Sequence, residues 1–97
     1  MIMKTDWKKL ELELINFRKR LHKFPELAGK EKITANYVVD FARRFHHAQI
    51  ITNLGGEGVA VVFNGKEAGD TILIRCDLDA LPIHEENDFD HASVYPD

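Results

Sequence analysis

The sequence predicts an α/β unit ordered helix, helix, strand, strand, strand. Two observations carry that reading. In the first half, apolar residues recur at steps of three and four, which is helical spacing; the second half changes to short β-rich runs bounded by glycine. The length of 97 residues agrees, since a chain of this size suits one small domain, taken as 1–97, that buries about two-thirds of the surface its unfolded chain exposes.

The first helix rests on Trp7, Leu10, Leu14, Phe17 and Leu21. Asp6 is placed to cap its start, and it runs to Lys23, ahead of Pro25, which biases the preceding residue away from helix. A second set, Ile33, Tyr37, Val38, Phe41 and Phe45, predicts an amphipathic helix from Lys30 to His47. Arg43, Arg44, His46 and His47 then fall in its last turn, where cations favour the helix dipole. The strands follow as "QIITNL", "GVAVVFN" and "TILIRC", the last two apolar at successive positions, as in strands buried on both faces. The loop "NGKEAGD" suits a hairpin between them.

Composition narrows the partners. At 44 % hydrophobic and 30 % charged residues the chain is of soluble, globular type, and a net charge of −3 gives no electrostatic reason to expect nucleic acid. Arg18, Lys19 and Arg20 alternate with acidic residues and read as a solvated helix face. Cys76 is the only cysteine, so no internal disulfide forms and a reducing compartment is expected. The opening "MIMKTDWKKLELELINF" is broken by charge and lacks the apolar core of a signal peptide, and no transmembrane span is present. A cytoplasmic protein that binds neither membrane nor nucleic acid is the expectation.

Several local features invite chemistry without requiring it. "GGEG", Gly55 to Gly58, leads into a strand and no Gly-Lys-Ser/Thr follows, so it is not read as a phosphate loop. His22, near a helix end, reads as capping or packing, and Cys76 as a small buried side chain. Asp77 and Asp79 are more informative. They follow a strand where ligands of α/β sheets gather, and carboxylates at alternate positions project to one side, which suits a metal or the orientation of a catalytic group. An Asp-rich turn before Pro82 explains them equally well.

Read together, "FRKRLHKFPEL", the helix after it, "LGGEGVAVVFNG", "ILIRCDLDALPIHEEN" and "FDHAS" resemble the N-terminal region of the metal-dependent amidohydrolases that include aminoacylases, N-acetyl-amino-acid deacetylases and plant auxin-conjugate hydrolases, within the zinc metallopeptidase superfamily. The resemblance covers nearly the whole chain in order. Arg75, Asp77, Asp79, Ala80, Leu81, Pro82 and Ile83 match the family's Arg-Ala-Asp-Met-Asp-Ala-Leu-Pro-Ile, and Cys76 and Leu78 depart from it conservatively. It implies an incomplete part of an α/β/α metallopeptidase-like catalytic domain, in which Asp79 is the candidate catalytic residue, steadying a metal ligand. The superfamily's His-x-Asp-x-x-Pro places its metal-binding His at Asp77 here, and Glu85 and Glu86 match acidic residues after the proline that are not the catalytic glutamate pair.

The sequence stops at "HASVYPD", before the His-Ala-Cys-Gly-His-Asp motif that the resemblance implies as the source of metal ligands. The expectation is therefore an N-terminal fragment of an amidohydrolase that is inactive alone. Asp77, Asp79, His84, Glu85, Glu86 and His91 are its scattered candidate ligands, no metal site or cofactor is expected in this chain alone, and zinc or another divalent metal is expected in the complete enzyme. The alternative is a non-catalytic remnant that self-associates or binds a partner. Homo-oligomerisation, or pairing with the enzyme's missing remainder, is expected because the sheet has too few helices to cover it: a bare patch of about 400 Å² forgoes about 10 kcal/mol at about 25 cal/mol per Å². A tail from Ile83 to Asp97 folded back over that face is the competing solution.

Overall fold

The computed structural model describes residues 6–95, so Pro96 and Asp97, which end the predicted tail, lie outside the described residues. The order is α1 (Trp7–Lys23), α2 (Lys32–Ala42), β1 (Ala48–Leu54) and β2 (Gly58–Phe63). Two helices followed by a two-stranded antiparallel sheet keep the α/β class that the sequence predicts. The residues group into two compact units, one built from α1 and residues 82–95, the other from residues 26–81.

In the first unit, α1 starts where the sequence places it. The Asp6 carboxylate accepts a hydrogen bond from the Lys9 N–H at 3.1 Å, satisfying one of the four donors that a helix start leaves open. At the other end the Phe24 N–H still reaches the Arg20 carbonyl at 3.1 Å before Pro25 ends the ladder. Arg20, His22 and Lys23 occupy the last turn, and the Arg20 guanidinium lies over the Phe24 ring. No α1 residue is buried. Residues 82–95 are tied to the helix end by the Val94 N–H, which donates to the Lys23 carbonyl at 2.9 Å.

The second unit places its core on one face of α2. Ala35, Val39 and Ala42, at helical steps of four and three, are buried together with Thr34, and this helix contacts both strands. The helix start is held from a distance. Its N-cap Glu31 makes no side-chain cap; instead the Glu26 carboxylate accepts from the Ile33 N–H at 3.4 Å and from the Thr34 N–H. Two expectations for α2 are corrected. It begins at Lys32 and ends at Ala42, not at His47, because the Arg44 and Phe45 amides bond the carbonyls three residues back and tighten the chain into turns. Arg43, Arg44, His46 and His47 therefore lie beyond the helix, where Arg43 pairs with Asp40 at 3.7 Å and Arg44 covers the Phe41 ring.

The strands β1 and β2 form a hairpin in the register Ala48↔Phe63 to Ile51↔Ala60, with an irregularity before Leu54↔Gly58. The glycine-rich stretch between the two strands forms its turn. Asn53, Gly55 and Gly56 all adopt positive φ there, and a Cβ on Gly58 would lie 2.4 Å from the Leu54 carbonyl oxygen. Phe45 meets Phe63 edge-on at 6.1 Å, fastening the turn after α2 to the end of β2.

The third predicted strand is not in the sheet, and "NGKEAGD" does not turn the chain back against β2. Ile72, Leu73 and Ile74 are 85 %, 87 % and 89 % exposed. A run that is apolar on both faces gains its full burial only between two covered faces, and α2 supplies a cover for one. Cys76, expected to be buried by that strand, is exposed for the same reason.

Candidate functional site

The Arg75 to Leu81 stretch runs as extended chain and meets the rest of its unit at Ala80. The Ala80 N–H donates to the Glu26 carbonyl at 2.8 Å, and Leu27 and Ala80 form an isolated parallel bridge. Glu26 thus holds this stretch with its backbone and α2 with its side chain. The two carboxylates that drew attention in the sequence do different things. Asp77 pairs with the Arg75 guanidinium at 3.0 Å, both groups largely in solvent, while Asp79 stands exposed one residue before the bridge.

A second cluster forms in the unit containing α1. His22 Nε2 lies 2.6 Å from Glu85 Oε1, the carboxylate accepting. Glu85 also accepts from the Asn87 amide at 3.0 Å and from the Ser93 N–H at 3.3 Å, so three donors converge on one carboxylate. The His22 hydrogen bond, followed by that of Asn87, holds its pKa below the usual carboxylate range. Phe89 and His91 stack at 3.9 Å, and both meet the His22 ring edge-on at 5.7 and 5.8 Å. Burial, then the positive charges of Lys19, Arg18 and His22, lower the proton affinity of His91; Asp90 opposes them.

Of the sequence candidates, Glu85 and His91 are therefore gathered around His22, whereas Asp77 is engaged by Arg75 and His84 and Glu86 are exposed. Among the described residues, no group of three or more His, Cys, Asp and Glu side chains is arranged to hold a metal ion. Sequence reasoning missed two partnerships. Glu26 lies too far ahead of α2 for a local capping rule, and His22 meets Glu85 across 63 positions.

Acidification is expected to loosen residues 82–95 from α1. A carboxylate with depressed pKa contributes stability that is complete above its unfolded value of about 4.3 and is lost as pH falls through its lower folded value. His91, also lowered, adds a contribution complete above about 6.5 and lost as pH falls through its folded value, so the two run the same way. Amide shifts of Ser93 and ring shifts of His91, followed by NMR from pH 7 to pH 3, check this; Glu85→Gln should remove the carboxylate part. A Ser93 amide unchanged over that range contradicts it.

The sequence and structure comparisons with known proteins point the same way. No protein-family model matches the chain. It is 38 % identical over 84 residues to a Bacillus subtilis (strain 168) protein described as "Putative amidohydrolase YhaA", covering 87 % of this chain and 21 % of that one. It is 36 % identical over 87 residues to an N-acyl-L-amino acid amidohydrolase of Geobacillus stearothermophilus, covering 90 % of this chain and 23 % of that one. In structure it matches a crystal structure described as "a putative aminohydrolase from methicillin resistant Staphylococcus aureus" with a TM-score of 0.82 and 36 % identity, over 92 % of this chain and 24 % of that one. No helix of the described residues is long and apolar enough to cross a membrane. By sequence and fold alike the chain is similar to amidohydrolases, of which it spans between about a fifth and a quarter of the length.

Proposed function

We propose that the chain supplies one part of a metal-dependent amidohydrolase catalytic domain acting on the amide bond of N-acyl amino acids, and that these 97 residues do not turn over substrate alone. The observation that carries the reading is the agreement of the sequence and structure matches, at 36–38 % identity over 87–92 % of the chain. Hydrolysis of this class needs a metal-activated water and a proton-shuttling carboxylate at one centre. The sequence holds no His-Ala-Cys-Gly-His-Asp motif to build such a centre, so the remaining groups must come from other sequence. Asp79, beside the Glu26–Ala80 anchor, is assigned the task of orienting a ligand supplied that way. Zinc or another divalent metal would supply the Lewis acid in the assembled site.

The test is an assay of the purified chain with N-acetyl amino acids and added zinc, cobalt or manganese. No turnover above buffer is expected. Metal-dependent hydrolysis that co-purifies with the chain overturns the reading.

A second reading is favoured by the exposed Ile72, Leu73 and Ile74: a module that self-associates or takes up a partner strand without catalysis. Its measurement is the oligomeric state of the chain.

A further inference from the structure

The face of α1 bearing Trp7, Leu10, Glu11, Leu14, Ile15 and Arg18 forms an open groove. Its floor is apolar and wet: Trp7 is 72 % exposed and Leu14 47 %. Removing a large apolar side chain from water is favourable, so two of them in solvent mark a surface with something to gain from a partner.

The two charges on the groove say which partner. Glu11 precedes Leu14 by as many residues as Arg18 follows Ile15. Within one helix these two groups are about 10 Å apart along the axis, too far to pair with each other. Across a two-fold axis passing between Leu14 and Ile15, an antiparallel copy of the same helix brings Glu11 against the partner's Arg18, and the reverse pair forms by symmetry. Leu14 then meets the partner's Ile15 at the centre. A parallel pairing would instead set like charges opposite one another, which disfavours it. We propose that two copies of this chain dock antiparallel through the α1 groove, with reciprocal Glu11–Arg18 pairs.

The inference deepens the self-associating reading and rests on it, while assigning the contact to α1 and not to the exposed Ile72–Ile74 run. A helix of 17 residues is about 25 Å long, so one helix pair gives a small interface, of the weak class, with dissociation expected at micromolar concentration.

Sedimentation equilibrium of the full chain tests it, with wild type, Glu11→Arg, Arg18→Glu and the double reversal compared at low and moderate salt. Both positions are exposed, so the substitutions should leave the fold intact, and circular dichroism checks that they do. Each single reversal sets two like-charge contacts in place of two attractive ones and is expected to weaken association at least tenfold. The double reversal restores opposite charges and is expected to return within threefold of wild type. A chain that stays monomeric at high micromolar concentration overturns both the inference and the self-associating reading. A chain that associates equally well in all four forms overturns the α1 inference alone and leaves association through another surface.

Discussion

Val39→Asp is expected to abolish cooperative unfolding of the unit that contains α2 and the hairpin. Val39 is 7 % exposed and sits at the middle of the buried face, between Ala35 and Ala42. An aspartate there would place a charge without a partner against the strands, a cost of several kcal/mol after relaxation. A small domain has on the order of 5 kcal/mol to lose, and among the described residues only Thr34, Ala35 and Ala42 are buried beside Val39 to compensate. Val39→Ala removes only packing and should cost about 2 kcal/mol. Far-UV circular dichroism with urea titration separates the outcomes: a sloping, transition-free curve for the aspartate variant, and a shifted but intact transition for alanine. A full-size transition in Val39→Asp would mean that α2 does not carry the core.

Glu26→Ala is the second large effect. Its carboxylate accepts from two amides at the start of α2, one of which belongs to the buried Thr34. Truncation leaves that N–H without its acceptor and removes a negative charge from a helix N-terminus. A charged hydrogen bond is worth about 1.5–3 kcal/mol and the dipole contribution about 0.3–1 kcal/mol, so a loss of about 2–3 kcal/mol is expected. Glu26→Gln keeps an acceptor oxygen and should lose about half as much. The urea midpoint should fall with little change in slope, since the surface exposed on unfolding stays the same. An unchanged midpoint in Glu26→Ala would show that solvent satisfies the helix start.

How much of this was legible in the sequence depends on how local each cause is. Helix α1 was readable end to end, because Asp6, the apolar spacing and Pro25 all act within a few residues of what they determine. The end of α2 was not, because the cations after Ala42 fit a last helical turn as well as they fit the tight turns actually formed. The run Thr71–Cys76 has the composition of a strand, but a run apolar on both faces also needs a cover on each, and composition cannot report whether the fold supplies them. At the site, neither the Glu26–Ala80 anchor nor the His22–Glu85 pair follows a spacing rule. Both are products of the tertiary fold.

The way the chain is threaded through its two units also orders events at the ribosome. The stretch 26–81 is continuous, so α2, its carboxylate cap and the hairpin can all assemble as soon as they emerge. The first helix leaves the exit tunnel earlier but must wait for residues 82–95, which follow the whole 26–81 unit, before His22 finds Glu85 and Lys23 finds Val94. Closing that long loop costs chain entropy that grows only with the logarithm of its length, and less still once the intervening unit has collapsed and drawn its ends together. A nascent chain therefore carries α1 as a solitary amphipathic helix until residues 82–95 emerge, and those residues are the ones that give its C-terminal end its partners.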